Sequence, residues 1–214
     1  MVNAKKRNDN IIKNVTPFPD QDLIRLDIAR AKCRLKIDLS DAYEQIPVVP
    51  EDVWKTAFVM VLGTFKSLVM QQGDCNAPAT FQRLMTAIFR DVIGKFMHVY
   101  LDDIFVYSSS VEDHECHLKI VLDRLRENSL YLKWSKCNLY AKTVDCLGHM
   151  IDDRGIHPDS DKMARIREWW TPRDYNDVQR FVGLVNYVGN FLPDVTSYTG
   201  PLLAITQNGA PFNW

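Results

Sequence analysis

An excess of charge of either sign is missing from this sequence of 214 residues, in which 26 Lys and Arg stand against 27 Asp and Glu for a formal net charge of −1. That balance excludes a surface coated in basic residues for nonspecific nucleic-acid binding, although a basic groove offset by acid elsewhere stays open. Cysteine is sparse too. Cys33, Cys75, Cys116, Cys137 and Cys146 are scattered without a Cys-x-x-Cys pair, so reduced thiols are expected rather than a disulfide framework. No apolar run approaches the roughly 18 residues of a membrane span. Met1 to Arg7 lacks the apolar core of a signal peptide. There is no internal repeat, low-complexity tract or Gly/Ser linker. What remains is ordinary: 46% hydrophobic and 25% charged residues, enough to bury a core. The expectation is an intracellular chain with no membrane contact.

Patterning divides the chain. Residues 1–25 are polar and irregular, with Pro17 and Pro19 marking a loop. Residues 35–40 alternate apolar and polar, as a strand does. Residues 55–61 and 64–70 flank Leu62-Gly63 and read as a hairpin. A helix is predicted after Asn76, with Pro78 in its first turn, an apolar stripe of Phe81, Leu84, Met85, Ile88, Phe89 and Val92, and Gly94 at its end. Ser110 followed by Asp113 resembles a capping box, opening a helix that carries Leu118, Val121, Leu122 and Leu125. Short strands are expected through Asp145–Ile151. From Pro158 the pattern is helical only: Met163, Ile166 and Trp170 on one helix, Val178 to Val188 on the next, with Pro172 between them and Pro193 stopping the second. A boundary near residue 157 follows.

Two groups of side chains invite chemistry. His114, Cys116 and His117, with Cys137 and Cys146 downstream, offer metal-ligating types, but their spacing matches a solvated helix start better than a zinc site. Asp102-Asp103 is more informative. Adjacent carboxylates favour turns, yet Val99, Tyr100 and Leu101 before them and Ile104, Phe105 and Val106 after them read as core. Such a tip stays close to the core, where unpaired carboxylates are costly and a divalent cation removes the cost. Asp38, between Ile37 and Leu39 at a strand end, supplies a second acid. Magnesium is usually held by one or two carboxylates plus substrate phosphates, so Asp38 and Asp102 make a minimum ligand set. Neighbouring side chains on a strand diverge, which gives Asp103 a less direct part.

Tyr100-Leu101-Asp102-Asp103 resembles the Tyr-x-Asp-Asp box of reverse transcriptases, and Lys36-Ile37-Asp38-Leu39-Ser40-Asp41-Ala42-Tyr43 resembles their first catalytic-aspartate strand. Gln71 to Phe81 resembles the segment before their long helix. Leu147-Gly148-His149, Gly155-Ile156-His157-Pro158, Lys162, Trp169, Phe181 to Leu184 and Tyr187 follow the pattern of gypsy-type LTR retrotransposon polyproteins. The likeness covers essentially the whole chain, in order.

The resemblance implies an α+β fold of the right-hand polymerase type, an antiparallel sheet packed on helices with a small helical thumb. Residues 1–157 would form fingers (about 1–13 and 46–76) and palm (about 14–45 and 77–157). Residues 158–214 would form the thumb and the start of the connecting segment to an RNase H domain, entered at Ala210 to Trp214. It implies Asp38, Asp102 and Asp103 as the catalytic triad holding two Mg²⁺, with Mn²⁺ as a substitute. Asp41, Ala42, Tyr43 and Gln72 would bind the dNTP, with Tyr43 excluding a ribose 2′-hydroxyl. Tyr100, Leu101, Leu147, Gly148 and His149 would meet primer and template. The expected partners are an RNA or DNA template with its primer, dNTPs, and the RNase H and integrase domains of a parent polyprotein. The expected location is the cytoplasm or a virus-like particle.

In the family a basic fingers strand would precede the position of Val2-Asn3; that N-terminal strand is expected to be missing, which favours a weak polymerase. The resemblance implies RNA-directed DNA synthesis; the alternative is a catalytically silent remnant that binds nucleic acid or a sister subunit, and RNA-templated RNA synthesis is disfavoured because Tyr43 would exclude ribonucleotides and the box reads Tyr-Leu-Asp-Asp rather than Gly-Asp-Asp.

Overall fold

In a computed structural model the chain is described over residues 4–137, 139–207 and 212. Expectations attached to Val2-Asn3 and to Ala210, Pro211, Asn213 and Trp214 lie outside these residues. The chain divides into two compact units, Met1–Val144 and Asp145–Trp214.

The first unit runs α1 (Lys5–Asp9), α2 (Gln21–Arg30), β1 (Cys33–Asp38), β2 (Phe58–Met60), β3 (Gly63–Phe65), α3 (Ala77–Phe89), β4 (Met97–Tyr100), β5 (Asp103–Ser108) and α4 (Val111–Glu127). Its sheet has the order β1-β5-β4 with both pairings antiparallel: Ile37 lies opposite Ile104, Asp38 opposite Asp103, and Val99 opposite Ile104. Alternation sorts the two faces. Leu35, Ile37, Val99, Ile104 and Val106 join Phe81, Met85 and Phe89 of α3 and Val121 and Leu125 of α4 in one buried cluster. The opposite face carries Arg34, His98 and Tyr107 against α2, where His98 Nε2 lies 2.9 Å from Asp27 Oδ2 and Arg34 Nε donates to Ile28 O at 2.9 Å. Burying aliphatic side chains on one face and pairing polar ones on the other makes this register specific, since a slip of one residue would exchange the faces.

Residues 1–25 are not irregular throughout, because α1 and α2 occupy parts of them. The Asp20 side chain caps α2 by accepting from the amides of Asp22 and Leu23, and Ile24 and Ile28 anchor it. α1 has no apolar periodicity to read. It is tied down from a distance, with Arg7 on Gln71 and Asp74, and Asn8 on Gly73 O and Cys75 N. The hairpin around residue 62 is short, turning at Val61-Leu62, because Pro50–Thr56 winds into a 3₁₀ helix. α3 ends at Phe89, and Gly94 closes the following turn with φ +78°. α4 begins as expected, with Ser110 Oγ accepting from Asp113 N at 3.1 Å.

The second unit begins inside β6 (Val144–Cys146) and continues with β7 (His149–Asp152), β8 (Gly155–Pro158), α5 (Ser160–Arg167), α6 (Tyr175–Tyr187) and α7 (Val195–Ile205). The strands form a sheet of order β6-β7-β8. This hairpin belongs with the helices, so the compact boundary falls ahead of residue 157. The physical cause is local: Tyr187 Oη donates to Leu147 O at 3.1 Å, and the His149 ring stacks on Tyr187 at 5.4 Å. Trp170 is not on α5, which stops at Arg167; its ring lies on Trp169 at 4.5 Å. α6 ends at Tyr187, ahead of Pro193, and a 3₁₀ turn at Gly189–Phe191 leads to α7. No described helix is long and apolar enough to cross a membrane.

Candidate active site

The end of β1 and the β4–β5 turn bring the acids together. Asp38 and Asp103 are directly opposed across the strand pair, an arrangement of like charges that is unfavourable without counterions. Two lysines supply them. Lys36 Nζ lies 2.8 Å from Asp103 Oδ2, and Lys136 Nζ lies 3.2 Å from Asp38 Oδ2. Lys36 also sits over the Phe105 ring at 5.6 Å. Burial pushes the Asp103 carboxyl up; its bond to Lys36 opposes that, and the charges of Asp102 and Asp38 add to the rise. Asp102 is exposed at the turn itself.

An open pocket of about 170 Å³ is lined by Asp38, Leu39, Asp41, Ala42, Tyr43, Gln72, Asp102, Lys133 and Lys136. Asp41 takes φ +45° and precedes a 3₁₀ turn over Ala42–Gln45, whose first bond runs from Glu44 N to Asp41 O. The amides of Asp41 and Ala42 come ahead of that bond, as donors at a helix start do, and they stand beside the carboxylates. The Tyr43 ring packs edge-on to Phe81 at 5.7 Å. Burial, and then the charge of Asp102, raise its hydroxyl above the usual tyrosine value. Gln72 precedes Gly73, whose φ of +94° carries the chain around the rim.

Thus Asp38, Asp102, Asp41, Ala42, Tyr43 and Gln72 meet in one pocket. Asp103 stands behind it on Lys36. Tyr100 is turned toward α2, with Gln21 Nε2 2.6 Å from its hydroxyl and Phe18 at 6.0 Å. Leu147, Gly148 and His149 belong to the second unit, at a turn where Leu147 and Gly148 take φ +52° and +79°. The zinc alternative finds no support: His114 and His117 both turn Nδ1 to Ser108 Oγ, at 2.9 and 2.8 Å. Among the described residues no three His, Cys, Asp or Glu are grouped for an ion. A hard cation of the Mg²⁺ kind needs fewer, one or two carboxylates with substrate oxygens completing the shell, and the Asp38–Asp102 pair matches that requirement.

Two lysines and a glutamine complete the surroundings of the acids, and nothing local in the sequence shows that Lys36 meets Asp103 or that Lys136 meets Asp38. Gln82 left a trace: it is a polar residue on the Phe81–Met85–Phe89 stripe of α3 and is 1% exposed. Its Oε1 accepts from Leu101 N at 2.8 Å, and its Nε2 donates to Val99 O at 3.2 Å.

The family profile described as reverse transcriptase (RNA-dependent DNA polymerase) matches residues 2–151. The retrovirus-related Pol polyprotein from transposon 297 of Drosophila melanogaster is 32% identical over 94% of this chain, and the transposon Tf2-3 polyprotein of Schizosaccharomyces pombe is 29% identical over 100% of it. The chain spans 19% and 16% of the lengths of these two relatives. Among solved structures, the foamy viral protease-reverse transcriptase in complex with double-stranded DNA superposes with a TM-score of 0.89 at 26% identity, over 97% of this chain and 37% of that one. The same viral enzyme in complex with an RNA/DNA hybrid gives 0.87 at 25% identity, over 100% of this chain and 29% of that one.

Proposed function

This chain belongs to the reverse transcriptase family, and from that premise we propose that it performs templated DNA synthesis from dNTPs in a gypsy-type element. The observation that carries the proposal is the convergence of Asp38, Asp102, Tyr43 and Gln72, far apart in sequence, on one pocket. Reverse transcriptases use divalent metal ions; here Asp38 and Asp102 would hold two Mg²⁺, or Mn²⁺ in their place. When bound, the metal supplies the charge neutralisation of in-line phosphoryl transfer, in which the primer 3′-hydroxyl attacks the α-phosphate and pyrophosphate leaves.

The chain's own groups do the rest. The amides of Asp41 and Ala42 offer donors to phosphate oxygens, as a helix start does. The Tyr43 ring fills the space beside the sugar that a 2′-hydroxyl would need, and Gln72 borders the same space. Lys133 and Lys136 bring positive charge to the pocket wall. Lys36 holds Asp103 on the strand behind, so that the pocket acids are not crowded by a third free carboxylate.

Residues 1–13 and 46–76 serve as fingers, 14–45 and 77–157 as palm, and 158–214 as thumb and the start of a connecting segment, the β6–β8 sheet being the part of the palm that forms one compact unit with the thumb helices. Tyr100, Leu101 and the Leu147-Gly148-His149 turn meet the primer–template duplex. The partners are an RNA or DNA template with primer, alongside RNase H and integrase domains of a parent polyprotein, in cytoplasm or a virus-like particle.

The test is incorporation of dTTP on a poly(rA)·oligo(dT) substrate with Mg²⁺, with duplex binding followed in parallel by fluorescence anisotropy. Incorporation that chelation abolishes is the expected result. Duplex binding without any incorporation would overturn the reading in favour of a silent nucleic-acid-binding module.

A further inference from the structure

The apex that carries Asp102 is held in a conformation its own sequence disfavours. Leu101 has φ +54°, a left-handed value that crowds Cβ against the backbone in every residue but glycine. It is the first of the two residues linking β4 to β5, and Asp102, the second, takes no positive φ. Turns of that pattern normally place glycine where this leucine stands. The direction of the Asp102 carboxylate depends on Leu101 keeping this conformation, so a partner outside the hairpin is needed to hold it.

Gln82 is that partner. It projects from α3 into the buried cluster, and its one amide grips the chain on both sides of Tyr100: Leu101 N donates to Oε1 at 2.8 Å, and Nε2 donates to Val99 O at 3.2 Å. A buried glutamine is costly unless satisfied. On a stripe otherwise built of Phe81, Met85 and Phe89, an apolar side chain would pack without that cost. Both of its polar ends reach the backbone of the acid-bearing hairpin. We propose that Gln82 is a positioning residue for nucleotidyl transfer: it fixes Leu101 in the left-handed conformation and thereby aims Asp102 at the pocket it shares with Asp38. The inference rests on the reading of Asp102 as a metal-holding carboxylate.

The test compares the parent, Gln82→Met, and the double variant Gln82→Met with Leu101→Gly. Each is read by thermal melting, by hydrogen exchange at the residue-101 amide, and by steady-state dTTP incorporation. Methionine is close in volume and unbranched, so Gln82→Met is expected to melt cooperatively. Its Leu101 amide should exchange about tenfold faster or more, as loss of a buried hydrogen bond implies. Its kcat should fall by about ten- to a hundredfold, with KM for dTTP changing less than about threefold, because a misdirected Asp102 affects the chemical step. Glycine adopts positive φ freely, so at saturating primer–template, where a weakened Leu101 contact to the duplex does not enter, the double variant should recover about threefold or more in kcat over Gln82→Met while its residue-101 amide stays unprotected. A purely structural role for Gln82 predicts no such recovery. An unchanged Leu101 exchange rate in Gln82→Met, or a fall in kcat that Leu101→Gly leaves untouched, overturns the proposal. Should the parent incorporate nothing, the functional reading fails, and the exchange measurement still decides whether Gln82 holds the apex.

Discussion

At Tyr43 two surroundings meet in one side chain: the ring leans edge-on against Phe81 at 5.7 Å, and its hydroxyl lies in the field of Asp102. In the proposed reading the ring serves as a wall, a use that does not involve the hydroxyl. Tyr43→Phe should therefore keep the preference for deoxyribonucleotides, whereas Tyr43→Ala should weaken it by about 1–3 kcal/mol, the cost typical of one packed contact in a specificity pocket. The ratio of kcat/KM for dTTP over UTP on one template measures this directly; an unchanged ratio in Tyr43→Ala would make the ring a core element alone.

Asp102 was legible in the sequence because two acids interrupt an apolar run, and Asp38 because a strand alternates. The counter-charges were not. Lys36 is two residues from Asp38 in sequence, yet it bonds to Asp103 across the strand pair. Lys136 reaches Asp38 from the segment after α4. Only the register and the return of that segment to the sheet, through the Leu39–Leu132 bridge, bring them in.

Elements carry their own consequences. α4 is fastened to β5 by a directed chain of hydrogen bonds. His114 Nε2 faces Leu139 O at 3.2 Å, a group that can only accept, so that nitrogen holds the proton. Its Nδ1 then accepts from Ser108 Oγ, and His117 Nδ1 donates to the same oxygen. Burial depresses both histidines below the ordinary value of 6.5, with Asp113 weakly opposing the effect at His117. Below pH 6.5 the unfolded chain takes up protons that the folded one resists. Stability is therefore full above that value and declines as pH falls through it toward the folded values. Melting temperatures at about pH 7.5 and about pH 5.5 check the sign, and His117→Gln should flatten the difference. A melting point that rises on acidification would show another group in control.

The β6–β7 turn offers a second case. Gly148 stands at φ +79°, and a Cβ there would overlap Tyr187 Oη and approach Lys162 Nζ to 2.8 Å. Gly148→Ala should cost about 1–3 kcal/mol through strain and collision together. In a Tyr187→Phe background the cost should shrink, a coupling that thermal melts of the four proteins can measure. Helices α3 and α4 were readable from apolar period and capping residues. α1 and α2 were not, the first because its partners lie at residues 71–75, the second because an Asp cap and two buried isoleucines leave a weak pattern in a polar stretch.

For the whole molecule, an ordered set of motifs along the sequence pointed to the family, while the division at Val144/Asp145 depends on a packing preference of the β7–β8 hairpin that no local pattern announces. The central claim is that Asp38 and Asp102 together make this pocket a metal-dependent site of nucleotide addition. Single-turnover incorporation of dTTP on poly(rA)·oligo(dT) with Mg²⁺, compared between the parent and a folded Asp102→Asn variant, tests it most directly. The account predicts extension by the parent and a loss of at least about a thousandfold in Asp102→Asn, with Asp38→Asn behaving alike, because each removes a carboxylate that neutralises charge in phosphoryl transfer. A folded Asp102→Asn protein that adds dTTP at the parent's rate would contradict it.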